Sequence, residues 1–388
     1  MKAVISGGGI AGLSAALALD RAGWSVSVLE KAPGMRAGGY MLDFFGPGVD
    51  AAEDLGLLDA LRTHARGVRR VDFVNAAGRS GAQMDYRHIR DATGGRLFPI
   101  LRGDIEQVLH AALSDRVELR HGTSLSQVEE TGAGLALTLA DGGRLTADLL
   151  VGADGIHSNT RRLVFGPEQD FIRPLGFHTA GYFFDSAEVE AALGGDFKMM
   201  AIENRMAGLY AVEGSRIMAF FVLRADETGR PDDPRPALRA AFGDLGWIVP
   251  EVLAAMPGPE DIYYDVVAQV EMDTWRRGRT ILIGDAAYAV SLLAGQGASL
   301  AMAGGRALGQ VLSGTDEVAA ALAHFETQLR PLVLEKQRAG RNMAKWFVPA
   351  SPAHVLMRDM GVRLMNWPPL SGLIGRFFSV SAKGFSLR

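Results

Sequence analysis

Hydrophobic positions come first as a short β-branched run, Ala3 to Ser6, then as an Ala/Leu-rich stretch from Leu13 to Arg21, then as the alternating Ser25 to Glu30. Glycines separate these runs at 7–9, 12 and 23, so the pattern predicts strand, helix and strand in one βαβ unit. Val49 to Arg62 has helical spacing, with Leu55, Leu57, Leu58 and Leu61 on one face, and Val68 to Val74 reads as a strand. Asp104 is placed to cap a helix from Ile105 to Ser114. Val117 to Leu119, Leu135 to Leu139 and Arg144 to Leu149 alternate like antiparallel strands, with Asp141-Gly142-Gly143 as a turn, and a following strand runs through Leu150 and Val151 into Gly152.

From Phe171 to Tyr264 the texture changes to aromatic and β-branched runs, which predict an antiparallel sheet; a Pro/Asp loop at 231–236 precedes a short helix beginning at Ala237. Thr280 to Ile283 is a buried strand, Ala298 to Leu312 a small-residue helix, and Glu317 to Trp346 a long helix in which Pro331 predicts a kink. Ser351 to Arg376 is near helical spacing but broken at Pro368-Pro369; it is expected to pack over the protein's own core or pocket in preference to a membrane surface.

At 388 residues the chain is long enough for two domains. Forty basic and forty-four acidic residues leave a net charge of -4, which gives no global field for nucleic acid. The absence of cysteine excludes disulfides, thiolate metal sites and cysteine nucleophiles, and no metal site is expected. A first strand that begins within three residues of Met1 leaves no space for a signal peptide, and no eighteen-residue apolar run appears, so no membrane span and a cytoplasmic location are expected.

The chemistry begins in the first turn. Gly7, Gly9 and Gly12 form Gly-x-Gly-x-x-Gly between strand and helix, with Ile10 and Ala11 opening the helix. Gly7 permits the turn, Gly9 admits a pyrophosphate to the backbone, and Gly12 lets helix and strand approach. Glu30 ends the second strand, where a carboxylate accepts hydrogen bonds from a ribose diol and repels a 2'-phosphate, arguing for FAD or NAD over NADP in this cleft. Lys31 follows, and a glycine-rich loop carries Arg36, Gly39 and Asp43. Arg102 precedes a helix, where it can reach a phosphate or a flavin edge or form a surface ion pair.

Two further motifs complete the set: Asp154-Gly155-x-x-Ser158-x-x-Arg161, and Gly284-Asp285 followed by Gly295-Gln296-Gly297 and Ala298. Together with the first, they resemble the PHBH-like single-component FAD aromatic hydroxylases, the class A flavoprotein monooxygenases. The resemblance implies an α/β fold: a Rossmann-like FAD-binding domain with an inserted antiparallel β-sheet substrate domain and C-terminal helices. The expected boundaries are 1–70, 97–170 and 270–346 for the FAD domain, 71–96 and 171–269 for the substrate domain, and 351–388 for the C-terminal helical segment. It further implies that Asp154 and Arg161 support FAD and the nicotinamide nucleotide, that Asp285 meets the ribityl chain, that Gly295 to Ala298 lie along the isoalloxazine ring, and that Arg102 contacts the flavin. Where the family usually has His and then Pro after Gly-Asp-Ala-Ala, this chain has Tyr288, Ser291 and Leu292, so the loop beside the flavin is expected to take its own shape.

At finer grain, Gly38-Gly39-Tyr-Met-Leu-Asp43, Leu101 to Asp104, Asp154 to Ser158, Phe242 to Trp247 and Gly284 to Tyr288 look like the tetracycline destructases. The implied activity is NAD(P)H-dependent hydroxylation by dioxygen of an aromatic or polycyclic phenol or enol, through a C4a-hydroperoxyflavin, with tetracycline as one candidate. NAD(P)H is then a transient co-substrate. The alternatives are an FAD-dependent dehydrogenase or reductase, and a non-catalytic flavin- or drug-binding protein. Met199, Met200, Tyr210, Phe220 and Phe221 are candidate pocket walls, and His178 and Asp43 are candidates for deprotonating a phenol; no catalytic residue is assigned.

Overall fold

The computed structural model describes residues 1–35, 39–225 and 229–365. Arg36 and the end of the C-terminal segment, 366–388, lie outside the described residues.

The first thirty residues form the expected unit: strand Lys2–Ser6, helix Ile10–Arg21 and strand Ser25–Glu30. The helix stops at Gly23, whose φ of +86° suits glycine and whose N–H donates to the Asp20 carbonyl at 3.0 Å. Among the described residues this unit seeds a six-stranded sheet, in the order Arg276–Arg277, Thr280–Leu282, Leu149–Gly152, Lys2–Ser6, Ser25–Glu30, Glu118–His121. Its central strands are parallel and almost wholly buried, which explains their continuous apolar runs.

The expected strand 144–149 ends earlier, at Ala147, and the strand expected from Leu150 begins at Leu149, with Asp148 between them. Arg144–Ala147 joins a three-stranded antiparallel sheet, whereas Leu149–Gly152 enters the parallel one. Asp148 marks the change, its carboxylate accepting the Lys2 N–H at 2.8 Å. Likewise the helix expected over 49–62 is two helices, Pro47–Asp54 and Leu58–Thr63, because Gly56 turns the backbone to φ +65°.

A seven-stranded sheet carries the aromatic region, in the order Tyr263–Val270, Ile172–Asp185, Arg216–Arg224, Arg205–Glu213, Phe197–Ile202, Arg70–Val74, Ser80–Asp85. It is antiparallel except where Phe197 to Met199 pair in parallel with Val71 to Phe73, a join to a distant part of the chain. Between the two large sheets lies a ribbon, Met41–Phe45 with Leu97–Leu101. The helix Gly297–Val311 lies on Ile10–Arg21 through small residues: Gly305 faces Ser14 and Ala15, and Gly309 faces Ala18. This close seat fixes the start of Gly297–Val311 relative to the first glycine turn. The long helix Val318–Phe347 and the helix Pro352–Met365 complete the described chain, the latter anchored where the Arg363 guanidinium donates to the Gly81 carbonyl.

Candidate active site

Gly7 and Gly12 are fixed by contact. A Cβ at Gly7 would lie 2.4 Å from the Ala153 carbonyl oxygen, and one at Gly12 only 1.9 Å from the Gly7 oxygen. Gly9 differs: a Cβ there would meet only the tips of Arg102 and Glu106, at 3.4 and 3.5 Å, so this face is open to a ligand. Glu30 fastens the turn, accepting the Gly8 N–H at 2.7 Å and the Ala32 N–H at 2.8 Å. Lys31 is exposed.

A cavity of about 290 Å³ opens beside this turn. Gly9, Ile10 and Ala11 line one end, and Asp285, Gly295, Gly297, Ala298 and Arg102 lie along it, so residues scattered over nearly three hundred positions converge on one hollow. Two helix N-termini open here without a side-chain cap, that of Ile10–Arg21 and that of Gly297–Val311. Their free N–H groups and helix dipoles favour negative charge. Gln296 sits at the second N-terminus and is itself buried.

Arg102 forms a 2.7 Å ion pair with Glu106, four residues on in the same helix. Burial works against its charge, but Glu106, Tyr40 and Asp285 hold its pKa above the ordinary arginine value. Gly39, at φ +114°, packs against the Arg102 side chain and would bring a Cβ within 3.3 Å of it. Asp285 follows Gly284, whose φ of +61° turns the chain out of the buried strand. Asp285 lines the hollow and is exposed within it; desolvation by the surrounding walls raises its pKa, and the Arg102 charge partly opposes the rise. Tyr40 is pushed up to about 12 by burial, against the pull of Arg102. Tyr263 is 47% exposed and lines the cavity, yet its surroundings still raise its pKa.

Asp154 and Arg161 are engaged by the protein itself. The Asp154 carboxylate accepts the Thr160 N–H at 2.8 Å, the Thr160 hydroxyl at 2.9 Å and the Ser158 hydroxyl. Arg161 is completely buried and donates to the Ala286 carbonyl at 2.9 Å and the Ile156 carbonyl at 2.7 Å. These two side chains therefore tie the Gly155 turn to the segment after Asp285, while Gly155 and Ile156 face the hollow.

The far wall is apolar: Phe197, Met199, Met206, Phe220 and the ring of Tyr210. Strand alternation sends the neighbours Met200 and Phe221 to the other side of the sheet, where they pack with Tyr182, Phe242 and Val249. His178 lies outside the cavity lining, its Nδ1 2.9 Å from the Tyr264 hydroxyl. Tyr288 turns away from the hollow to pack on Trp275, ring centroids 4.7 Å apart, and Ser291 takes φ +98° to carry the loop past it. Sequence reasoning passed over Tyr40, Thr179, Tyr263 and Asp265; the first is adjacent to Gly39, but the others reach the cavity only through strand pairing. Among the described residues no helix is long and apolar enough to cross a membrane, and no cluster could hold a metal ion.

The FAD binding domain family matches residues 1–323. A flavin-dependent monooxygenase from an unknown prokaryotic organism is 28% identical, covering 88% of each chain. The crystal structure of the tetracycline destructase Tet(55) superposes with a TM-score of 0.81 at 26% identity, covering 94% of this chain and 96% of that one. The Klebsiella pneumoniae HpxO structure with FAD and uric acid superposes with a TM-score of 0.78 at 26% identity, covering 97% and 96%.

Proposed function

Starting from a chain that belongs to the FAD binding domain family and is an FAD-dependent monooxygenase of PHBH-like fold, we propose that it hydroxylates an aromatic or polycyclic phenol or enol with electrons from NAD(P)H. The observation that carries this reading is the shared hollow: two uncapped helix N-termini and the Asp285 carboxyl on one side, and an apolar sheet face on the other. A tetracycline-type antibiotic is one candidate substrate and a purine such as urate another, since structural relatives at 26% identity include a tetracycline destructase and a protein solved with uric acid.

The open face at Gly9 and the Asp285 carboxyl in the hollow suit FAD as it would lie here. Bound FAD supplies the chemistry by which NAD(P)H reduces dioxygen, one oxygen atom going to the substrate and the other to water. In this reading the N–H groups after Gly9 hold the pyrophosphate, Glu30 takes the adenosine ribose, and Asp285 accepts hydrogen bonds from the ribityl hydroxyls. The N-terminus at Gly297 and Ala298 would stabilise negative charge on the bound ring, and Arg102, which lines the same cavity, would add a positive charge. Asp154, Arg161 and Gly39 hold the walls in place. Phe197, Met199, Met206 and Phe220 keep water from the reacting carbon.

The test is a substrate screen on the FAD-loaded protein. Phenols, urate and tetracyclines that stimulate NAD(P)H oxidation are expected to gain the mass of one oxygen atom. Oxidation that yields hydrogen peroxide and leaves every candidate unaltered would overturn the reading.

A further inference from the structure

We propose that Asp43 is the proton acceptor of this site, taking the proton from a substrate phenol or enol hydroxyl and leaving the electron pair on the substrate oxygen. The inference rests on the hydroxylase reading above. It begins with the strand Met41–Phe45, on which alternate residues face opposite ways. Leu42 and Phe44 pack into the core of the nucleotide domain. Met41 packs with Tyr210 and Met218 of the seven-stranded sheet, and Phe45 with Phe73, Val267 and Leu293. Asp43 lies between Met41 and Phe45 on that second face and lines the hollow that the apolar wall also lines.

The strand is tied to its neighbours on either side of Asp43. The Met41 N–H donates to the Tyr210 hydroxyl, and the Phe45 N–H to the Ser299 hydroxyl at 3.4 Å. Ser299 belongs to the helix that begins at Gly297, which places this strand against the start of that helix.

The other titratable groups that line the cavity are Tyr40, Arg102, Tyr210, Tyr263, Asp265 and Asp285. Asp265 is 3.1 Å from His157 and 3.6 Å from Arg230, and Asp285 feels the charge of Arg102. The Asp43 carboxyl has no hydrogen bond and no ion pair among the described residues, and burial alone raises its pKa to about 7. An acid held there exchanges its proton with little driving force either way, as a general base requires. A phenol that gives up its proton becomes a more electron-rich ring, the better target for oxygen insertion. The proton returns from Asp43 to the product oxygen on release.

Two measurements on the FAD-loaded protein test this, with Asp43→Asn as isostere and Asp43→Glu as the conservative variant. In the first, para-nitrophenol, whose anion is yellow, is titrated into oxidised protein without NAD(P)H, below the phenol's own pKa. The wild type and the Glu variant are expected to bind a larger share of it as the anion than is present in free solution, and the Asn variant to bind it as the neutral phenol; equal ionisation in wild type and Asn variant overturns the proposal. In the second, product formation from a phenol is followed against pH. The wild-type rate should climb as pH passes about 7. Asp43→Asn should lose that limb and at least about a hundredfold in rate, with FAD affinity unchanged. An Asn variant that keeps the limb and the rate overturns the proposal. Anion formation in the wild type without oxygenated product from any phenol would instead sink the hydroxylase reading and leave the proton acceptor standing.

Discussion

Gly309 is where the flavin-side helix touches the first helix, and replacing it with alanine separates two opposing effects. In a helix interior the change gains about 1 kcal/mol of intrinsic propensity. Here the new Cβ would lie 2.4 Å from the Ala18 Cβ and 2.8 Å from its carbonyl carbon. Carbon atoms pack at about 3.5–4.0 Å, so the contact is about 1 Å too short. Ala18 cannot yield by rotating, having no atoms beyond Cβ, and its backbone belongs to a buried helix. Overpacking typically costs about 1–3 kcal/mol, and a clash against backbone takes the upper end. Gly309→Ala should therefore be less stable by about 2 kcal/mol once the propensity gain is subtracted. Gly361 is the control: it lies in the helix Pro352–Met365, where a methyl added at its Cα would meet no atom within 4 Å, so Gly361→Ala keeps only the gain. Urea unfolding of the FAD-loaded proteins should move the midpoint down for Gly309→Ala and up for Gly361→Ala. Flavin fluorescence should show weaker FAD binding for the first alone, because its helix begins at Gly297. A Gly309→Ala protein as stable as wild type would refute the claim that small residues set this helix spacing.

Tyr288 and Gly304 should be coupled, since a Cβ at Gly304 would lie only 2.1 Å from the buried Tyr288 hydroxyl. In thermal melts Gly304→Ala is expected to destabilise the wild type more than it does Tyr288→Phe; equal effects would deny the contact. Glu30→Gln must turn its amide NH2 toward either the Gly8 or the Ala32 N–H, losing one acceptor at a cost of about 1–3 kcal/mol. Both bonds exist without FAD, so urea unfolding of the FAD-free protein should register the loss as a lower midpoint, and an unchanged midpoint would show that Glu30 does not fasten the turn. His157 bridges Asp265 and Glu168, and the hydrogen bond to Asp265 chiefly raises its pKa. Its stabilising contribution is thus full below the ordinary histidine value and fades as pH rises through the higher folded value. Asp265, lowered by His157 despite its burial, sets the opposite edge, stabilising above the ordinary carboxylate range and failing as pH falls through its folded value. The melting-temperature gap between wild type and His157→Gln should be widest between those edges and close on the alkaline side; a gap constant across pH would contradict the bridge.

Features written in local spacing were legible in the sequence. Gly7, Gly9, Gly12 and Glu30 lie within one βαβ unit, and Asp285 closely follows a buried strand, so neighbours along the chain are enough to place them. Arg102 was read as lying before a helix capped by Asp104, but it is the first residue of the helix Arg102–Ala111, which has no side-chain cap, and its Glu106 partner four residues on was missed. Features that depend on pairing between distant segments were not legible. Met199 and Met200 are equally apolar, and only the register with Gly208 and Ala207 sends one to the cavity and the other to the opposite core. The boundary at Asp148 was placed late, because Leu149 continues the apolar run on either side of it and only its pairing with Ala3 assigns it to the parallel sheet. Tyr288 read as a departure beside the flavin; its ring instead packs on Trp275 and its hydroxyl fills space that Gly304 leaves, in a direction no local pattern reveals.

The most direct test of the oxygenase account is to supply the FAD-loaded protein with NAD(P)H, an accepted phenol and isotopically heavy dioxygen in ordinary water. The account predicts a hydroxylated product that carries the heavy atom. Product oxygen drawn from water, or NAD(P)H consumed with heavy peroxide as the sole oxygenated species, would contradict it.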